Sequence, residues 1–163
     1  IGFRIGFAAM QLTDAEDPSM INPRYVGTDN DNQPFSLTAD LARNLSGPGT
    51  HVELEMPKAD ITTTDGTWLV LTAESGIYAR DAKTLELSGK VNLFHDQGYE
   101  FRTNRALIDL AKGNANSNDP VEGQGAFGRL EANGFRLIDK GRTILFRGKS
   151  KLTFYPNVKR TSR

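Results

Sequence analysis

A strand–turn–strand unit recurs along this chain, and the separation between its anchoring Ala and Gly is nearly equal in each copy. Each copy begins with a polar turn that contains Gly, continues as a short strand ending in Ala, and closes with a second strand that carries a Gly. The anchor residues are Ala73 and Gly89, Ala106 and Gly123, and Ala132 and Gly148. A weaker copy lies at residues 33–39. Because no copy can bury its apolar face alone, neighbouring copies must stack on one another.

Apolar and polar residues alternate within the copies, as in strands that bury one face. In residues 84–93, for example, Leu85, Leu87, Val91 and Leu93 share one face, and the polar residues between them take the other. No segment of a dozen residues has helical periodicity between strands, which disfavours a parallel α/β fold. The pattern predicts an all-β chain whose sheet is folded and layered along one axis.

Composition excludes several function classes. The 20 basic and 20 acidic side chains balance, whereas a nucleic-acid binder or a polybasic membrane-surface protein needs an excess of Lys and Arg. The chain has no cysteine, so disulfides and cysteine-based metal or redox sites are impossible. Only 37% of the residues are hydrophobic, which is too few for a helical bundle, and no run approaches the roughly 20 apolar residues of a membrane-spanning helix.

The sequence divides into three parts. Residues 1–33 lack the alternation and are expected to be an extended lead-in, residues 34–156 form the β domain, and residues 157–163 are a basic tail. Residues 40–45 are compatible with one helical turn. Since the chain begins at Ile1 rather than Met, we expect it to be a fragment or a processed form.

No group of residues indicates catalysis or a cofactor. Residues 123–128 match the glycine spacing of a dinucleotide-binding loop, but they lack the strand before it and the helix after it, so a glycine-rich turn between strands is predicted. Residues 29–32 lack the Gly and Glu positions of a calcium loop and are predicted to form a solvated turn. His51 and His95 are far apart and suggest no metal site. We expect neither an enzyme nor a metal-binding protein.

The remaining candidate is an apolar face. Its sixteen residues are Leu69, Leu71, Ala73, Leu85, Leu87, Val91, Leu93, Phe101, Ile108, Leu130, Phe135, Leu137, Ile144, Phe146, Leu152 and Phe154. They form either a packed core or the wall of an open groove for acyl chains, in which each buried methylene contributes about 0.8 kcal/mol. Small residues at Ala73, Ala106 and Ala132 would widen such a groove. Periodicity leaves both interpretations open.

The C-terminal segment 143–154 has a strand-like pattern with no obvious cap after it. An unclosed sheet exposes unpaired N–H and C=O groups at its ends, which favours the addition of a strand from another chain. This segment is therefore a candidate docking edge.

A series of short segments in a fixed order covers nearly the whole chain after residue 20. They are Asn22-Pro23-Arg24 with Gly27 and Asp29, Pro34-Phe35-Ser36-Leu37-Thr38-Ala39, Asp65-Gly66-Thr67-Trp68, Leu85-Glu86-Leu87-Ser88-Gly89-Lys90-Val91, Gly98-Tyr99-Glu100-Phe101-Arg102-Thr103, Asp119-Pro120-Val121-Glu122-Gly123 and Arg147-Gly148. Together they resemble the LptC family of lipopolysaccharide export components, in its alphaproteobacterial form.

The resemblance implies an open, twisted β-jellyroll of stacked antiparallel strands, as in LptA and the N-terminal part of LptD. It also implies a periplasmic location, with one N-terminal helix ahead of this chain as an inner-membrane anchor. The partners would be lipopolysaccharide, the LptF and LptG transporter with its ATPase LptB at the N-terminal side, and an LptA-like protein at the C-terminal edge. The groove would carry the acyl chains between them.

The same resemblance assigns residues to the two docking edges. Phe35, Leu37 and Ala39 would face the transporter. The LptA-like protein would meet Gly123, Ile144, Leu152 and Phe154. Three alternatives stay open: a module of the same fold that binds only proteins around a filled interior, a soluble LptA-like bridge, and a homodimer formed through edge strands.

Overall fold

The computed structural model describes residues 10–12, 18–44, 51–63, 66–126, 128–138 and 143–154. These ranges contain seventeen β-strands and no helix. The strands are β1 (Met10–Leu12), β2 (Pro18–Ile21), β3 (Arg24–Thr28), β4 (Pro34–Thr38), β5 (Leu41–Asn44), β6 (His51–Glu55), β7 (Lys58–Thr62), β8 (Trp68–Thr72), β9 (Ser75–Ala79), β10 (Thr84–His95), β11 (Glu100–Asp109), β12 (Asn114–Ser117), β13 (Val121–Gly125), β14 (Gly128–Ala132), β15 (Gly134–Ile138), β16 (Thr143–Arg147) and β17 (Lys151–Phe154).

The strands form one open antiparallel sheet that folds over into two layers. Layer one has the strand order β1-β2-β5-β6-β9-β10-β11-β12-β15-β16. Layer two has the order β3-β4-β7-β8-β10-β11-β13-β14-β17. The long strands β10 and β11 belong to both layers. The predicted all-β fold of the open jellyroll type is confirmed.

The chain turns the corner between the layers without breaking its hydrogen bonds. In β10 the corner is a bulge between Ser88 and Val91, where Gly89 has φ of +85°. Backbone bonds continue the ladder along this side: the Glu74 N–H donates to the Gly89 carbonyl at 2.9 Å, and the Met56 N–H donates to the Glu74 carbonyl at 2.9 Å. A side chain at Gly89 would be strained and would overlap that of Glu74.

The space between the layers is a packed apolar core. Both layers contribute side chains that are fully buried, among them Leu54 and Leu87 from layer one and Leu37 and Leu71 from layer two. Their outward neighbours are polar, as the burial pattern of β14 shows, in which Leu130 is buried between exposed Arg129 and Glu131. Burial of this one face supplies the main driving force for folding the sheet over.

Three local predictions need correction. Part of the expected lead-in forms strands, because β2 pairs with β5 and β3 pairs with β4, so the sheet begins before residue 34. The possible helical turn is strand β5, which the ladders from β2 and β6 hold extended. The C-terminal segment is two strands, β16 in layer one and β17 in layer two, separated at Gly148, whose φ of +69° breaks the strand. The glycines of the predicted glycine-rich turn, Gly123, Gly125 and Gly128, lie within the paired strands β13 and β14, which form a hairpin.

Candidate functional site

Most of the predicted groove residues lie in the packed core between the layers. Twelve of the sixteen are buried: Leu69, Leu71, Ala73, Leu85, Leu87, Val91, Leu93, Phe101, Ile108, Leu130, Phe135 and Leu137. The alanines expected to widen a groove, Ala73, Ala106 and Ala132, are buried as well. The middle of the jellyroll is thus filled with side chains.

The apolar interior reaches the surface at the C-terminal end of the folded sheet. Ile144 and Phe146 on β16 are only partly buried against the core, and Leu152 on β17 is 46% exposed. Leu152 nevertheless belongs to the inward-facing row, because it pairs with buried Leu130. Since the last strands of the two layers do not pair with each other in the described ranges, their inward faces stay accessible. We call Ile144, Phe146 and Leu152 the C-terminal mouth. The side chain of Phe154 lies outside the described residues.

Apolar side chains at the N-terminal end of the sheet are also only partly buried. Met20 on β2 and Tyr25 on β3 are partly buried and pack against the core. The ring of Tyr25 meets that of Tyr78 from the opposite layer, with centroids 5.3 Å apart. Burial raises the pKa of both phenols, so both rings are uncharged at neutral pH. We call Met20 and Tyr25 the N-terminal mouth.

Gly123 controls the packing beside the C-terminal mouth. A Cβ on Gly123 would overlap the ring of Phe101 on the neighbouring strand. That ring crosses the interior to Phe146, with centroids 5.8 Å apart. The glycine therefore leaves the room in which an aromatic contact joins the two layers, a contact worth about 0.5–1.5 kcal/mol beyond area burial.

We expect Gly123→Ala to lower the free energy of unfolding by about 1–3 kcal/mol, because the Phe101 ring must move into a filled core. Urea denaturation measures this. Gln124→Ala, the next residue on β13 and on the outer face, is the matched control and should change little. Adding Phe101→Leu to Gly123→Ala should recover part of the loss. An alanine variant as stable as the parent would show that Phe101 does not need this space.

Each layer ends in strands that pair on one side only within the described ranges. At the N-terminal end these are β1 and β3, and at the C-terminal end β16 and β17. Strand β4, with Phe35 and Leu37, is not at an edge, because β3 covers one side and β7 the other. Phe35, Leu37 and Ala39 are buried in the core. The strand that offers free backbone groups at this end of layer two is thus β3.

A turn of layer two ties the two layers together on the side opposite the corners. The Asn30 N–H donates to the carbonyl of Ala111 at 2.8 Å, and Lys83 Nζ donates to the carbonyl of Thr28 at 3.0 Å. Ala111 and Lys83 lie in turns of layer one. We call this turn, residues 28–33, the clasp. Asp29 stiffens the clasp, because its Oδ1 accepts the N–H groups of two residues in the same turn at 2.8 and 2.9 Å.

The described residues show no chemical centre. No group of three or more His, Asp or Glu in these ranges is arranged to hold a metal ion. The Nδ1 of His95 accepts the N–H of Gln97 at 3.1 Å, which is an ordinary turn contact. Among the described residues there is also no helix long and apolar enough to cross a membrane. What the described residues offer is an apolar interior with two mouths, each beside strands that pair on one side only.

These features define an open β-jellyroll with an apolar interior. The model of the family described as "LptC: Lipopolysaccharide-assembly, LptC-related" matches residues 8–155. The chain belongs to the LptC family. No curated protein matches it. The family acts in lipopolysaccharide transport as a periplasmic, inner-membrane-associated component rather than as an enzyme.

Proposed function

We propose that this domain takes lipopolysaccharide from the inner-membrane ABC transporter into the apolar space between its layers and hands it to a periplasmic bridge protein. The observation that carries the proposal is the pair of mouths, where inward apolar side chains at both ends of the sheet are only partly buried. An acyl chain entering a mouth gains about 0.8 kcal/mol for each methylene it buries.

The route between the mouths has to open for the lipid to pass. The core residues fill it. Among the described residues, backbone hydrogen bonds join the layers along the corners, and the clasp joins them on the other side. Elsewhere they are held by dispersion and apolar contacts, which acyl chains can replace in kind. We therefore expect the layers to spread as chains enter, with Leu71, Leu87 and their neighbours exchanging contacts with each other for contacts with lipid.

In this proposal, the partners at the two edges set the direction of lipid transport, from the N-terminal end to the C-terminal end. An LptA-like protein would add a strand at the C-terminal edge, and the LptF and LptG transporter with LptB would meet the N-terminal edge, where β3 is the exposed strand. In each case the partner's own apolar interior would continue the row of inward side chains. An N-terminal membrane helix ahead of this chain would hold the domain beside the transporter.

A module that binds only proteins is the second candidate. The twelve buried residues in the middle of the predicted groove favour it, because a filled core needs no ligand. Such a module would use the same edges to join transporter and bridge, and no lipid would enter the space between the layers. The two candidates differ in which molecule contacts the C-terminal mouth: lipid in the first, and only protein in the second.

Photo-crosslinking separates them. A photoreactive residue at Phe146 or Leu152 should capture lipopolysaccharide, whereas one at Leu145, which faces outward on β16 and is 47% exposed, should not. Adjacent positions on one strand thus form a matched pair. Equal labelling at Leu145 and Phe146 would contradict a lipid path between the layers, and capture of protein but never lipid at all positions would establish the second candidate.

A further inference from the structure

A cavity of about 920 Å³ lies on the outer side of layer two, and most of the residues that line it are polar. It runs across β10, β11, β13, β14 and β17 next to the corners. Its volume is at the upper end of the range of about 300–1,000 Å³ for ligand sites. Six of its lining residues carry the argument: Lys90, Lys149, Lys151, Asn92, Asn104 and Asn133. We call it the polar trough.

The acidic groups of the trough are already neutralised by arginines. Glu122 accepts a hydrogen bond from Arg102 at 3.0 Å and another from Arg129 at 2.9 Å, and these contacts, the bond from Arg102 first, lower its pKa. Arg129 also lies 3.7 Å from Glu131. The guanidinium and carboxylate groups in the floor of the trough therefore satisfy one another.

The lysines of the trough are available for an anion. Lys149 and Lys151 are exposed and have no ion pair within the part of the chain that the structure describes. The Nζ of Lys90 has only a contact of 3.8 Å with Glu74, and its side chain is 85% exposed. Lys149 and Lys151 thus place two ammonium groups in the trough without an ion pair among the described residues, and Lys90 adds a third whose closest carboxylate is Glu74.

Three amide side chains stand among these cations. Asn92, Asn104 and Asn133 line the trough, and each offers both hydrogen-bond donors and an acceptor. The Oδ1 of Asn92 is buried and has no donor among the described residues. Amides beside ammonium groups suit a ligand that carries both hydroxyl groups and negative charge.

We infer that the polar trough binds the phosphorylated saccharide part of the glycolipid whose acyl chains enter the C-terminal mouth. The position of β17 supports this: Leu152 faces the interior at the mouth, whereas the adjacent Lys151 faces the trough. A glycolipid at this end can curl round the edge strand, with its chains inside and its anionic sugars outside. This inference rests on the proposed function, because it names the headgroup site for the same lipid.

The test uses deacylated lipopolysaccharide that retains its phosphates, titrated into the domain by calorimetry. We expect Lys149→Glu combined with Lys151→Glu to weaken binding by about tenfold or more, because two charge-assisted contacts become repulsive. Enzymatic removal of the phosphates from the saccharide should weaken binding similarly. Lys58→Glu, exposed on β7 in the same outer face but outside the trough, is the control and should have little effect.

Three results would overturn the inference: no binding of the deacylated saccharide, an equal loss with Lys58→Glu, or inorganic phosphate binding as tightly as the saccharide, which would indicate a simple anion site. The proposed function has a separate readout. If lipopolysaccharide is still captured at Phe146 while the deacylated saccharide does not bind, the headgroup site is wrong and the lipid path stands. If neither occurs, both fail.

Discussion

Leu87→Ala should lower the free energy of unfolding by about 2–5 kcal/mol, a large share of the 5–15 kcal/mol that stabilises a typical domain. Leu87 is fully buried in the part of β10 that belongs to layer one, where it pairs with Ala106 and packs in the core between the layers. Removing three carbons there costs their transfer from water and leaves a cavity that the hydrogen-bonded sheet cannot collapse to fill. Equilibrium unfolding in urea measures the change.

Leu107 provides the matched control. It lies on β11, one pair away from Leu87, but it faces outward and is 46% exposed. Leu107→Ala should change stability by no more than about 0.5 kcal/mol. Similar losses of unfolding free energy for the two variants would contradict the structure, in which Leu87 faces the core and Leu107 faces outward. The comparison also tests the fold of the sheet, because only the layered arrangement buries one of these leucines.

The alternation of residues predicted the faces of the long strands correctly. Leu85, Leu87, Val91 and Leu93 are all buried, as the period of two requires, even though a bulge separates the first pair from the second. The bulge inserts Gly89 and Lys90 at the corner, which preserves the inward face as the strand passes between layers. Periodicity could therefore identify which side chains are inward without revealing the corner.

The edge strands could not be predicted in the same way. In β3 the residues alternate only between exposed and half-buried, and within the described ranges this strand pairs on one side only. Strand β3 is extended because it pairs with β4, and no local pattern in residues 24–28 predicts that pairing. For the same reason the sequence placed the N-terminal edge at Phe35, one strand too far into the sheet.

Contacts between residues that are distant in the sequence account for the other features that could not be predicted. Lys83 reaches Thr28 across the open side only because the layers fold over each other. The polar trough likewise depends on strand neighbours, since Arg102, Glu122, Glu131 and Lys151 fall in one cross-strand row. The sequence alone could not bring these residues into one row, because that requires the order and register of the strands.

The second large effect is expected at the C-terminal edge. Proline in β17 should weaken the binding of an LptA-like bridge protein by about tenfold to a hundredfold, because it removes a backbone donor and its ring obstructs the incoming strand. Successive backbone N–H groups point to opposite sides of a strand, so Leu152→Pro and Thr153→Pro remove different hydrogen bonds. One of the two prolines removes a donor from the free edge of β17, and the other removes a donor from the ladder to β14.

Measuring both variants resolves which donor serves docking. The variant that loses affinity for the bridge protein while keeping its melting temperature carries the substitution on the free edge, and the other should melt at a lower temperature. Proline at Val26 and at Gly27 in β3 forms the matching pair at the opposite end, where affinity for the bridge protein should be unchanged. If both β17 variants fold and bind the bridge protein like the parent, docking does not use this strand. Loss on β3 proline instead would reverse the direction of transport through the domain, since the bridge would then meet the N-terminal mouth.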